Sequence, residues 1–117
     1  MRLFHFGPET GRPLTQFDSR AAVIARLARS QGEVQMRVFY LEAGGLVGHH
    51  PAGPPQLLCV LAGAGDVCGQ DRVMHAIHPG QAAFWEAGEW HTTRTAQGLT
   101  ALVVEGATLE LWAPELG

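Results

Sequence analysis

The sequence predicts an all-β fold, a single-domain antiparallel β-barrel. Two observations carry that expectation. Beyond Gly44-Gly45 the chain is a series of short apolar runs, each of strand length, broken by glycine and proline. The breaks recur about every 8–12 residues, the rhythm of a sandwich or barrel. The length, 117 residues and 12.6 kDa, leaves room for one domain, and no internal repeat, low-complexity tract or linker divides it. Residues 1–117 are therefore read as one unit, with N-terminal strands in 1–43 and the barrel in 44–112.

The elements follow in chain order. Residues 1–20 are mixed and turn-rich (Gly7-Pro8, Gly11, Pro13), with an edge strand whose Leu3, Phe4 and Phe6 cover the core. Ala21–Arg29 suits a helix by its alanines, Ile24 and Leu27, and a strand by the alternation of Val23, Ala25 and Leu27. The turn candidate Ser30-Gln31-Gly32-Glu33 and the strand pattern Val34–Tyr40 favour the strand, forming a hairpin. Further strands are expected at Gln56–Leu61, Arg72–Ile77, Ala82–Glu86, Thr92–Thr95, Leu99–Glu105 and Thr108–Trp112. Between them lie Gly63-Ala64-Gly65, Cys68-Gly69-Gln70-Asp71, Pro79-Gly80, Ala87-Gly88 and Gln97-Gly98.

Composition removes most function classes. Hydrophobic residues at 46% and charged residues at 16% support a packed core. A net charge of −3 argues against a binder of nucleic-acid backbones, which carries a basic surplus. No apolar run has the length of a membrane span, and residues 1–6 show no secretion-signal core, so a cytoplasmic location is expected. There is no lysine, which excludes Schiff-base chemistry and a Walker-type phosphate loop. Neither Ser19 nor Ser30 sits in a nucleophile elbow. Cys59 and Cys68 lack CxxC spacing and read as buried thiols; Cys59 faces away from Gln56 by alternation.

Histidine holds most of the chemical signal. His5 and His78 read as surface or capped side chains, and His75 as outward or in a subunit contact. His49 and His50 follow a Gly-rich bend and precede Pro51. Being adjacent on an extended strand, only one of them should face inward unless a bulge intervenes. Gln56 opens the next strand six residues on, and His91 follows the turn Ala87-Gly88-Glu89-Trp90. Imidazoles and a polar side chain meeting inside a barrel can hold a transition metal.

These residues resemble the two motifs of the cupin superfamily. The first, G-x5-H-x-H-x3-4-E-x6-G, is matched at its start by Gly44 and His50 and at its end by Gln56 and Gly63. The second, G-x5-P-x-G-x2-H-x3-N, is matched in spacing by Gly80, Glu86, Gly88, His91 and Thr95. The resemblance implies a small jelly-roll barrel with degenerate metal motifs. Ala52 stands at the second histidine position, Gln56 replaces the glutamate, Glu86 the proline and Thr95 the asparagine. It implies a metal set of His50, Gln56 and His91, with His49 as a fourth group. Three alternatives follow: a weak, partly hydrated site for a divalent ion (Fe, Mn, Ni, Cu or Zn) as cofactor, a site rescued by the carboxylate of Glu86 or Glu105 if its side chain turns inward, or no metal.

The pocket is expected to be lined by Phe84, Glu86, Trp90 and Tyr40. Phe84 and Trp85 alternate to opposite faces, so one lines the cavity and the other covers the outside. Arg37 and Arg94 select an anionic substrate if they face inward. The leading functional expectation is small-molecule binding inside the barrel, with or without a metal. The alternatives are a metal-dependent enzyme resembling dioxygenases or isomerases, and a structural barrel with a vestigial pocket. Loss of the carboxylate weakens the enzyme alternative. The expected partners are a small-molecule ligand and a second copy in a homodimer, with no nucleic acid and no membrane.

Overall fold

The computed structural model describes residues 1–116. Its strands are β1 (Arg2–His5), β2 (Arg12–Pro13), β3 (Val23–Ile24), β4 (Ala28–Arg29), β5 (Gln35–Leu41), β6 (Leu46–Pro51) and β7 (Gln56–Gly63). They continue with β8 (Gly65–Cys68), β9 (His75–Ile77), β10 (Gln81–Trp85), β11 (Trp90–Arg94), β12 (Leu99–Glu105) and β13 (Glu110–Leu111). One 3-10 turn, Pro8–Thr10, is the only helical element among the described residues, and no helix is long and apolar enough to cross a membrane.

Two antiparallel sheets make up the body. One has five strands in the order β1-β10-β7-β12-β5, the other four in the order β6-β11-β8-β9. Leu58, Val60, Ala83, Trp85, Leu99, Ala101 and Val103 from the first pack against Val67 and Ile77 from the second. The other face of the five-stranded sheet carries Phe4, Leu57, Cys59, Ala82 and Phe84, covered by Ala113 and the chain around β4 and β13. Covering on both faces explains the uninterrupted apolar run of β7, which is the central strand. The strand ladders of the described residues form separate sheets, so the closed barrel expected from the sequence is met as far as two packed antiparallel sheets.

The expected strand Leu99–Glu105 is found with those bounds. The hairpin expected from Ala21–Arg29 and Val34–Tyr40 is not formed. Val23–Ile24 pairs with Arg12–Pro13, Ala28–Arg29 pairs with Glu110–Leu111, and β5 pairs with β12. Ala21 itself has φ 53, which no strand accommodates, so the segment breaks into two short strands with distant partners. Local sequence pattern does not display β8: it has four residues between glycine-rich breaks, yet its Val67 and Cys68 are buried.

Glycine is required where the β7–β8 corner crosses the β11–β12 turn. Gly63 has φ +77, and a Cβ there would run into the Gly98 carbonyl oxygen.

Candidate functional site

Strand pairing decides which histidine faces inward. His91 lies opposite His50 in the β11–β6 ladder, and the two rings lie 4.4 Å apart with a 52° tilt. The His91 ring stacks on Trp85 at 4.4 Å and 27°, and Trp85 belongs to the core between the sheets. His50 and His91 therefore share the inner face. His49 projects from the other face of β6, where its Nδ1 lies 2.8 Å from Thr92 Oγ1 and its ring 5.5 Å from that of Trp90. The expectation of His49 as a fourth ligand fails by strand parity.

Gln56 is brought to the same inner face. It lies opposite Trp85 in the β10–β7 ladder and alternates with Leu58 and Val60, both in the inner core. It is 5% exposed and His91 3%, whereas His50 is exposed. No protein group hydrogen-bonds the Gln56 amide among the described residues, and no fully enclosed side-chain N or O there lacks a partner. The amide therefore keeps a residual contact with solvent.

Both inner imidazoles are oriented by the backbone. His50 Nδ1 donates to the Gly48 carbonyl at 2.6 Å and His91 Nδ1 to the Glu89 carbonyl at 3.1 Å. A carbonyl only accepts, so the Nδ1–H tautomer is selected and Nε2 is left as the acceptor of each neutral ring. Burial pushes the His91 ring below the ordinary imidazole value, opposed by the Glu89 carbonyl bond and assisted by the His50 charge. His49 is also pushed down, by desolvation first and by Arg72 second.

The turn that carries His91 is clamped to the loop after His50. The Ala52 amide donates to the Glu89 carbonyl and the Gly88 amide to the Ala52 carbonyl, each at 2.9 Å. Ala52, standing where the family motif has a histidine, is buried in this contact. Thr95 holds the next turn: its hydroxyl donates to the Ala64 carbonyl at 2.6 Å and accepts the Gly98 amide at 2.9 Å.

The four expected pocket residues lie elsewhere. Phe84 packs into the core on the far side of the five-stranded sheet. Tyr40 is 76% exposed on the outward face of β5, whose Phe39 turns inward instead. Trp90 is half-exposed beside His49, and Glu86 is exposed in the turn after β10. Alternation is the common reason, since each is one residue out of step with an inner side chain. Trp85 takes the inner place, fully buried, with its Nε1–H donating to the Cys68 carbonyl at 3.1 Å.

Glu105 alternates with the inward Val103 and lies opposite Gln56 in the β12–β7 ladder. Its carboxylate accepts from Arg37 at 3.2 Å, and Arg37 also donates to Gln35 at 2.8 Å. The one inward carboxylate beside Gln56 is thus held by a guanidinium. Arg94 lies 3.7 Å from Asp66. Cys59 is buried on the far face, where desolvation pushes its thiol up to about 12.

No group of three or more His, Cys, Asp or Glu side chains among the described residues is arranged to hold a metal ion. The inner donors are two imidazoles and an amide, none of them anionic. They suit a borderline cation by type but supply no charge to offset the dehydration of the ion.

No family model matches the chain, and no curated protein matches it. Solved structures share its fold. A cupin 2 domain-containing protein from Halorhodospira halophila aligns at TM-score 0.59 and 18% identity, over 70% of this chain and 57% of its own. An RmlC-like cupin protein from Desulfovibrio desulfuricans aligns at 0.58 and 18%, over 70% and 83%. The DMSP lyase DddQ from Ruegeria pomeroyi aligns at 0.59 and 22%, over 97% of this chain and 62% of the lyase. The chain has the cupin fold.

Proposed function

We propose that this cupin-fold protein binds a small polar molecule at the open end of a jelly-roll interior, with His50, His91 and Gln56 making the polar contacts. One observation carries the reading: two imidazoles 4.4 Å apart, each with an unengaged Nε2, share an inner face with a Gln56 amide that has no protein partner. The three groups offer two acceptors and one donor–acceptor pair, and Trp85 forms the flat apolar wall beside them. They suit a small ligand with hydroxyl or amide donors on a flat body. The likeness to a lyase of the same fold supports a small-molecule site.

The test is a fragment screen against isotopically labelled protein, using single-ring compounds that carry hydroxyl or amide groups. Hits should shift the Gln56 side-chain amide and should be lost in Gln56→Leu. Hits that leave Gln56 unmoved, or that survive the substitution, contradict the reading.

A second reading has its own support. Ligating histidines commonly hold one ring nitrogen to a carbonyl so that the other is aimed at the ion, as both rings do here. His50 and His91, with Gln56, would hold a divalent Fe, Mn, Ni, Cu or Zn ion, which when bound supplies Lewis acidity or a redox centre. Elemental analysis of metal-replete protein should then give a content that His91→Ala abolishes. Equal and negligible content in both removes this reading.

The homodimer is proposed at β5. This seven-residue strand ends the five-stranded sheet, and its outward face presents Met36, Val38 and Tyr40, all exposed. An unpaired edge of this length is a template for a second copy in antiparallel register. Light scattering should give twice 12.6 kDa, and Val38→Lys should reduce it to the single value. A 12.6 kDa particle in the unsubstituted protein overturns the dimer.

A further inference from the structure

The arginines divide into two groups. Arg2, Arg29, Arg37 and Arg94 each lie within 4 Å of a carboxylate, on Glu115, Glu110, Glu105 and Asp66. Among the described residues Arg12, Arg20, Arg26 and Arg72 have no carboxylate partner and donate no side-chain hydrogen bond, and of these Arg12 and Arg26 line one cleft. The cleft has a volume of about 230 Å³ and is completed by Thr10, Gly11, Ile24, Trp112 and Pro114.

The cleft is built by backbone pairing. Arg12 and Ile24 are partners in the β2–β3 ladder, which forms one wall. On the other wall the amides of Trp112 and Ala113 donate to the Leu27 carbonyl at 2.9 and 3.0 Å, which fixes Trp112 beside Arg26. The Arg26 guanidinium sits 4.8 Å from the Trp112 ring centre. Arg29 sits over the same ring at 5.0 Å, but its charge is committed to Glu110 at 2.8 Å. Stacking on an indole restricts the guanidinium without using its N–H donors, so Arg26 is oriented with its hydrogen-bonding edge free.

Two exposed guanidiniums without carboxylate partners concentrate positive charge at one cleft, in a chain whose net charge is −3. An anion complements that charge, and the planar fork of arginine matches a carboxylate or phosphate head. Exposed Ile24 and Trp112 give the same cleft an apolar side. Its volume is below that of pockets for drug-sized ligands, which sets the size of the occupant.

We propose that this cleft is a second binding site, for a fragment-sized organic anion. Its oxyanion head is held by Arg26 and Arg12, and its flat body lies against Ile24, Trp112 and Pro114. The site does not depend on the His50–His91 reading. Trp112 follows β13 on the covered face of the five-stranded sheet, and the histidines lie on the opposite face. Binding there leaves the inner face unchanged.

The test follows the indole N–H signals of the labelled protein, with Trp112 assigned by Trp112→Phe. The probes are sodium benzoate, phenyl phosphate, inorganic phosphate and neutral benzyl alcohol, at constant ionic strength. Benzoate or phenyl phosphate should shift the Trp112 signal saturably in the millimolar range or tighter, with inorganic phosphate and benzyl alcohol weaker. Whichever aromatic anion binds more tightly identifies the head group. Arg26→Gln should weaken binding about tenfold, the effect expected for loss of a charged hydrogen-bond pair. Arg26→Lys, which keeps the charge and loses the fork, should fall between, and Arg12→Gln should weaken binding as well. An unchanged melting temperature in these variants separates lost binding from lost folding. Absence of saturation, equal binding of benzyl alcohol, or benzoate affinity unaltered in Arg26→Gln overturns the proposal.

Discussion

His50 and His91 stand directly across the β6–β11 ladder, with ring centres 4.4 Å apart and each Nδ1 donating to a backbone carbonyl. The two residues are 41 positions apart in sequence, and the ladder between them fixes which imidazole of the His49–His50 pair faces the interior.

Substitution at the neighbouring histidines should therefore have opposite outcomes. His49→Ala removes only the contact to Thr92 and the outward packing on Trp90, costing about 0.5–1.5 kcal/mol of stability and leaving fragment binding intact. His50→Ala removes an acceptor from the inner face and should weaken fragment binding about tenfold with little change in stability. Chemical denaturation and fragment titration of both variants distinguish them.

Gln56→Glu restores a carboxylate to the inner face at nearly constant shape. The new charge is almost buried, opposite Glu105 in the ladder, so without metal the variant should be less stable by about 1–3 kcal/mol. With Ni²⁺ or Zn²⁺ its melting temperature should rise more than that of the parent, because ion binding adds to the stability of the folded state. No larger rise in the variant contradicts the assignment of His50, Gln56 and His91 as a ligand set.

Trp85 supports the site through one hydrogen bond and one stacked ring. Trp85→Phe leaves the Cys68 carbonyl without its indole donor and opens space under His91. The expected loss is about 2–4 kcal/mol, from the unpaired carbonyl together with the lost packing. Urea denaturation measures it.

The pH dependence follows from the depressed His91 ring. An imidazole that is harder to protonate when folded binds more protons in the unfolded chain, so stability is lost as pH falls through and below the ordinary value of about 6.5. The loss levels off below the folded value. Between about pH 7.5 and pH 5.5 the parent should lose more stability than His91→Gln, as read by denaturation midpoints.

Much of this architecture is legible in the sequence because some strands carry a strong local pattern. Leu99–Glu105 and the apolar run opening at Gln56 appear where their composition places them. Two-residue strands such as Val23–Ile24 and Ala28–Arg29 owe their existence to distant partners, Arg12–Pro13 and Glu110–Leu111, which no local pattern displays. The site divides in the same way. Spacing brings out His50, Gln56 and His91, but the face on which each neighbour falls depends on register. Phe84, Tyr40, Trp90 and His49 each lie one position from an inward residue, and a single step reverses the face. The pairing of Gln56 with Trp85 is the signal that would have selected Trp85 over Phe84.

The central claim is that His50, not His49, pairs with His91 on the inner face, where the His91 ring stacks on Trp85. Side-chain NMR of the histidines reads this directly. The structure predicts cross-relaxation between the ring protons of His50 and His91 and between His91 and Trp85, with both inner rings as Nδ1–H tautomers and His49 in contact only with Thr92 and Trp90. Cross-relaxation of His91 with His49 in place of His50, or of neither histidine with His91, would contradict the site from which the functional reading is built.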